Sequence, residues 1–244
     1  MTKNVAGRAA ALAALGDPVR LEITDLLATS DLSPDAIATA LDITSNLLAH
    51  HLKVLEQAGL IIRKRSDHDR RRTYCQLDFA AFEGLLPAGA GQPAFAASPQ
   101  PAGTRAAHKK PRARVLFVCK HNSARSVLAE AIWNSMSDIP AASAGTDPAP
   151  AINPLTLPAA KRAGLVLRTK KPQPLELVLS KDDLVISVCD VANEQLPPLT
   201  QKRLHWSLPD PAQIRKPAAF DETVNELRTR ITRLRPERKG RTTK

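Results

Sequence analysis

The chain has 244 residues, of which 43% are hydrophobic and 24% charged, and a formal net charge of +11; this is the balance of a globular protein long enough for two cores of typical size, not of a disordered or fibrous one. No apolar run approaches the roughly 20 residues that cross a bilayer, and the N-terminus is amphipathic rather than a signal peptide, so the expectation is a cytoplasmic protein with no membrane association. Three cysteines, Cys75, Cys119 and Cys189, exclude a disulfide framework and leave catalytic or buried thiols.

The positive charge is unevenly spread. Residues 1–86 carry 10 Lys/Arg against 11 Asp/Glu, residues 87–112 carry 4 against none, and residues 113–244 carry 21 against 13. The end of the chain, residues 228–244, has 8 basic residues against Glu237, and such a tail either touches DNA or is a solvated end. Residues 87–112, rich in Ala, Gly, Pro and Ser and without apolar periodicity, read as a linker. They separate a first domain over 1–86 from a second over 113–235, followed by a basic tail over 236–244.

In the first domain, apolar residues at helical spacing run from Val5 to Leu15, and Gly16-Asp17-Pro18 ends one helix and opens the next over Val19 to Leu27. Ser33-Pro34-Asp35 supplies an N-cap, a first-turn proline and an acid at the positive end of the dipole, for a helix through Leu41. Thr44-Ser45 then caps a helix from about Asn46 to Ala58, ended by Gly59. This is helix-turn-helix spacing, and the second helix would offer Ser45, Asn46, His50, His51 and Lys53 to a major groove. Two strands follow, over 60–65 and 71–77, joined by the polar turn Ser66 to Asp69. They form a β-hairpin wing on which Arg63, Lys64, Arg65, Arg70, Arg71 and Arg72 are candidate phosphate contacts. His50 and His51 are adjacent and so point about 100° apart on a helix, which predicts DNA contact or packing rather than a metal site. Cys75, in a wing strand, reads as a structural thiol.

The strings ALGDPVRLEITDLL, SNLLAHHLKVLEQAGLI and RKRSDHDRRRTYCQL resemble the ArsR-type winged-helix repressors in order and spacing. The resemblance implies an operator-binding homodimer. Metalloid-sensing members carry cysteines in the recognition-helix region, and residues 44–58 here have none.

The second domain opens on Val115-Leu116-Phe117-Val118, apolar at every position as a buried parallel strand is. It runs into Cys119-Lys120-His121-Asn122-Ser123-Ala124-Arg125-Ser126 and then a helical stretch through Trp133. A cysteine, five residues and Arg-Ser at a helix start suit a tetrahedral oxyanion. Loop N–H groups and the positive end of the helix dipole converge on one point, where they hold the anion and favour a thiolate, the nucleophilic form of cysteine. Arg125 would clamp two oxyanion oxygens bidentately, as lysine could not. Lys120, His121, Asn122, Ser123, Ala124 and Ser126 would line the anion, with Asn122 taking left-handed geometry and Ser123 donating to the thiolate. In the last helix, read over Phe220 to Leu234, Val224, Leu227, Ile231 and Leu234 share one stripe expected to pack on the sheet.

The string VLFVCKHNSARSVLAEAI resembles the nucleophile loop of the low-molecular-weight phosphatase superfamily, its HNSARS portion looking closest to the arsenate reductase branch. Residues 142–146, 183–188 and 205–211 resemble that family's second strand, third strand and late Asp-Pro loop. The resemblance implies an α/β three-layer domain with a four-stranded parallel sheet, Cys119 as nucleophile, and Asp210 as general acid. With the first domain it describes a multidomain chain, an α+β winged helix-turn-helix followed by the α/β domain. Thioredoxin-coupled arsenate reductases of this type pass oxidation along two further cysteines in a C-x6-C-P segment. Here Cys189 occupies the first position, as a possible redox residue, and Leu196 the second. The expectation is therefore a bifunctional regulator and arsenate reductase with no bound cofactor, drawing on an external thiol reductant: mycothiol, glutathione with glutaredoxin, or thioredoxin. The alternatives are a regulator whose second domain only senses an oxyanion such as arsenate or phosphate, and a tyrosine phosphatase. Ala212, where an aromatic would sandwich a phenyl ring, counts against the last.

Overall fold

A computed structural model describes residues 2–85 and 114–234. The linker read at 87–112 and the tail at 236–244 lie outside the described residues. Packing divides the described chain into two compact units: residues 2–85 with Ile186–Pro198 and Arg203–Pro209, and residues 114–185 with 199–202 and 210–234. Two segments that follow the linker in sequence therefore pack with the first unit. No described helix is long and apolar enough to cross a membrane.

The first unit begins with α1 (Thr2–Leu15), α2 (Pro18–Leu27), α3 (Pro34–Leu41) and α4 (Ser45–Gln57). Their starts are set by side chains that satisfy otherwise unpaired first-turn amides. Asp17 accepts from Arg20 N, Ser33 from Ala36 N and Thr44 from Leu47 N, each cap worth about 1 kcal/mol. The antiparallel hairpin of β1 (Ile61–Arg65) and β2 (Thr73–Leu77) pairs Arg63 with Cys75 and Lys64 with Tyr74, and the short α5 (Phe79–Glu83) follows. Ile23, Leu27, Ile37, Leu48, Leu52, Leu55, Leu60 and Cys75 form one core in which each is at most 1% exposed.

Cys75 lies at 0% exposure in that core, and desolvation pushes its thiol up to about 11. It should therefore resist alkylation in the native protein at pH 8, where it is almost wholly protonated. Mass-spectrometric mapping checks this; labelling as fast as in urea would contradict it.

The segments after the linker that join this unit do so through polar contacts of long sequence separation. Asp31 Oδ2 accepts from Ser207 N and from Gln76 Nε2, both at 2.7 Å. Asp31 N donates to His205 O at 2.7 Å, His205 N to Ser30 Oγ at 3.0 Å, and Trp206 Nε1 to Thr29 O at 3.0 Å. Trp206 itself is 2% exposed. Burial of these groups is tolerable because their hydrogen-bonding capacity is met.

The C-terminal half contains β3 (Val115–Cys119), α6 (Arg125–Met136), β4 (Ala141–Gly145), α7 (Thr156–Arg162), α8 (Leu175–Val178), β5 (Leu184–Ser187), α9 (Asp190–Gln195), β6 (Arg203–His205), α10 (Pro211–Ile214) and α11 (Pro217–Leu234). The four strands form a parallel sheet in the order β4-β3-β5-β6, with β3 and β4 in register from Val115 opposite Ala141 to Cys119 opposite Gly145. The strand order reverses at β3, and ligands of open α/β sheets bind outside the carboxyl end of the strand where that happens. Cys119 is the last residue of β3.

Residues 125–133 of α6 are all buried, so this helix lacks the polar face of a surface helix. Three residues of the stripe on α11 are buried, Val224 at 2% and Leu227 and Ile231 at 0% exposure, whereas Leu234 at the helix end is only partly buried. The stripe packs chiefly on α6 and α7 rather than on the sheet itself, because α6 stands as the layer between.

Candidate active site

The loop after β3 is shaped by what its carbonyls bind. Cys119 O accepts from Thr146 N, Lys120 O from Asp147 N, His121 O from Ala149 N, and Ser123 O from both Asn153 N and Thr156 Oγ1, at 2.8 to 3.2 Å. In a trans peptide the C=O of one residue and the N–H of the next point in opposite directions. Tying these carbonyls to the segment after β4 therefore turns the amides of Lys120, His121, Asn122 and Ala124 the other way, together with the first-turn amides of α6. Asn153 and Thr156, 34 and 37 residues downstream of Cys119, are supports that sequence reasoning missed; Asn153 also holds Leu155 N at 3.0 Å, fixing its own turn.

Gly145 lets β4 approach this loop. A Cβ there would lie 2.7 Å from Lys120 O, closer than packed atoms tolerate, and a tight 3.1 Å from Asn122 N. Gly145→Ala is expected to destabilise the protein by about 1–3 kcal/mol and to weaken phosphate binding in parallel, as thermal unfolding and phosphate titration would read. An unchanged melting temperature with full phosphate affinity would contradict this account of the loop.

Asn122 adopts the left-handed conformation expected of it, with φ 47°. It is fully buried, its Oδ1 accepts from Gln173 N at 2.8 Å, and its Nδ2 donates to Ser126 Oγ at 2.8 Å. Because Ser126 Oγ already receives that bond, its own proton is available to Cys119 Sγ, 3.1 Å away. The hydroxyl against the sulfur is thus that of Ser126, not of Ser123 as the sequence led us to expect. Ser126 reaches back because it is the second residue of α6, so its side chain sits in the first turn beside the thiol.

Arg125 is 5% exposed, and its Nη2 lies 3.1 Å from Asp210 Oδ2. Asp210 caps α10 by accepting from Ala212 N at 3.1 Å. The Asp-Pro segment thus holds a carboxylate against the guanidinium of the anion loop. Lys120 Nζ is 3.7 Å from Asp147 Oδ2, and His121 Nδ1 is 3.1 Å from Asp147 O, both half-buried at the mouth. The second unit therefore brings together Cys119, Arg125, Asp210, Asn122 and Ser126.

Cys189 is 0% exposed and serves as N-cap of α9, its Sγ accepting from Ala192 N at 3.3 Å. Leu196 is 7% exposed. On the recognition helix Ser45, Asn46, His50 and Lys53 are exposed, whereas His51 turns inward at 6% exposure with Nδ1 3.7 Å from Asp17 Oδ1. One helical step separates it from His50, which is enough to move it from the groove-facing side to the core side. Of the wing cations, Arg65, Arg70, Arg71 and Arg72 are exposed, Arg63 pairs with Glu56 at 3.3 Å, and Arg71 forks onto Asp69 at 3.0 and 3.2 Å. Among the described residues no cluster of His, Cys, Asp and Glu could hold a metal ion.

Known proteins resemble the chain in two stretches. The low molecular weight phosphotyrosine protein phosphatase family matches residues 114–241, and a helix-turn-helix domain family matches residues 15–64. No curated protein matches the chain. Among solved structures, an arsenate reductase from Archaeoglobus fulgidus DSM 4304 is 31% identical over 49% of this chain and 97% of that one, with a TM-score of 0.44. A thioredoxin-dependent arsenate reductase of Corynebacterium glutamicum is 28% identical over 52% and 62%, with a TM-score of 0.42. A low molecular weight protein tyrosine phosphatase from T. tengcongensis is 25% identical over 50% and 97%, with a TM-score of 0.45. With more than half of its length matched, the chain belongs to the low molecular weight phosphotyrosine protein phosphatase family, and it carries a helix-turn-helix domain ahead of that fold.

Proposed function

We propose that this protein is a cytoplasmic, homodimeric transcriptional regulator that binds operator DNA through its first domain and reduces arsenate to arsenite through its second. The observation that carries the reductase reading is the hydrogen-bond chain Asn122 to Ser126 to Cys119, set beside the pair of Arg125 and Asp210. It supplies a nucleophilic sulfur, an anion clamp and a proton carrier at one point.

Arsenate entering the loop takes over Arg125 from Asp210. The Cys119 thiolate attacks arsenic, forming an S–As bond; Asp210, freed from Arg125, takes a proton from the hydrogen arsenate and passes it to the displaced hydroxide, which leaves as water. An external thiolate then attacks Cys119 sulfur. The S–As bond breaks with its electron pair going to arsenic, so As(V) becomes As(III) and arsenite departs, leaving a mixed disulfide. A second external thiol releases Cys119 and forms the oxidised donor. One arsenate is consumed per two thiols.

An external thiol is favoured over an internal relay because Leu196 stands where a second relay cysteine would be, and because Cys189 is buried as a helix cap. Ala212, beside the Asp-Pro step, offers no ring to stack on a phenyl phosphate. Side-by-side assays of arsenate-dependent thiol oxidation and aryl phosphate hydrolysis test the choice. Faster arsenate turnover supports the reductase, and hydrolysis of aryl phosphate with no arsenate turnover would replace it by a phosphatase.

A further inference from the structure

Within the first unit the tip of the wing is already occupied. Asp67 N donates to Asp190 Oδ2 at 2.8 Å, Ser66 Oγ donates to Glu194 Oε1 at 2.6 Å, and Tyr74 OH donates to the same oxygen at 3.1 Å. Arg72 Nε is 4.0 Å from Glu194 Oε2, and Lys64 Nζ donates to Ser207 O at 3.1 Å. A backbone amide, two hydroxyls, an arginine and a lysine on a hairpin are the donor types that proteins aim at phosphodiester oxygens. Here the amide, the hydroxyls and the arginine are spent on two carboxylates from successive turns of α9, and the lysine on the Ser207 carbonyl.

Those carboxylates are built in. The side chain of Asp190 is 0% exposed and that of Glu194 is 4% exposed. Burial alone would raise Asp190, but hydrogen bonds from His205 and from the Asp67 amide outweigh it and hold the carboxyl below its ordinary range, so it is charged. His205 Nε2 sits 3.1 Å from Asp190 Oδ1, and Asn193 Nδ2 donates to Tyr74 OH at 3.0 Å. A hydrogen-bonded shell thus aims two fixed negative groups at the wing.

We propose that Asp190 and Glu194 stand in for two backbone phosphates, and that this surface of the wing has duplex DNA as its external partner and α9 as its internal competitor. DNA engages the wing tip fully only when α9 lets go. This inference rests on the reading of the first domain as DNA-binding.

The test is binding of a random-sequence DNA duplex by the full chain, followed by fluorescence anisotropy over a range of salt, for the wild type and for Asp190→Asn/Glu194→Gln. Arg72, released from Glu194, should gain one cationic phosphate contact and steepen the slope of log K against log salt by about 0.9, while the Asp67 amide and the Ser66 and Tyr74 hydroxyls, being uncharged, add affinity without slope; affinity at low salt should rise at least about tenfold. Glu22→Gln/Asp25→Asn, on exposed positions of α2, makes the same charge change away from the wing and should leave the slope as in the wild type. The single variant Glu194→Gln, expected to add about 0.9 to the slope, serves if the double variant does not fold by circular dichroism. An unchanged slope in a folded α9 variant, or an equal change in the α2 control, overturns the internal competitor while leaving DNA binding intact. Absence of binding by every protein at low salt overturns the DNA-binding reading as well.

Discussion

Cys119→Ser is expected to lower arsenate turnover by at least about 10³-fold while leaving the anion loop in place. A serine hydroxyl stays protonated at neutral pH, and none of its near neighbours is a base: Ser126 and Asn122 are neutral, and Asp210 is engaged by Arg125. The tied carbonyls that orient the loop do not depend on sulfur. Phosphate should therefore bind the variant about as well as the wild type. Turnover kinetics with a phosphate titration reads both, and retained turnover would remove Cys119 from the chemistry.

Asp210→Asn should cut kcat by roughly 10²- to 10⁴-fold, the contribution of a positioned proton donor. It should also tighten phosphate binding, because a neutral amide competes less well than a carboxylate for Arg125, 3.1 Å away. Asparagine can still cap α10, so the fold is kept. A fall in kcat joined to tighter phosphate binding separates this role from a structural one. Weakened phosphate binding would mean that Asp210 merely holds Arg125 in place.

What could be read from the sequence is what neighbouring residues determine. Asp17, Ser33 and Thr44 cap their helices through bonds spanning three residues, so the helix-turn-helix was legible almost to the residue. The nucleophile loop was legible for the same reason: an apolar strand, a cysteine, a left-handed Asn122 and an arginine at a helix start are all local. Locality also explains the misassignment of the thiol's partner. Ser123 and Ser126 are both within reach in sequence, and only the bond from Asn122 selects Ser126.

Features that depend on distant residues stayed hidden. β6 is three residues long, Arg203–His205, without a β-branched run to mark it, and only His205 fell within the segment read as the Asp-Pro loop. Asn153, Thr156 and Gln173 carry no motif, although they set the direction of the loop and the orientation of Asn122. The packing of Ile186–Pro198 and Arg203–Pro209 with the first unit rests on side-chain bonds such as Asp31 to Ser207 and Ser66 to Glu194. Such bonds join residues more than 100 positions apart, and no periodicity announces them. His51 shows the same limit on a smaller scale, since helical spacing alone did not decide whether it faced the groove or the core.

The most direct test of the central claim is to measure arsenite formed from arsenate by the purified full chain, with mycothiol, glutathione with glutaredoxin, and thioredoxin each supplied as donor. The account predicts arsenite production with at least one donor, two thiols oxidised per arsenite, and loss of the signal in Cys119→Ser. No arsenite with any donor, while phosphate or arsenate still binds the loop, would contradict the reductase and leave an oxyanion sensor in its place.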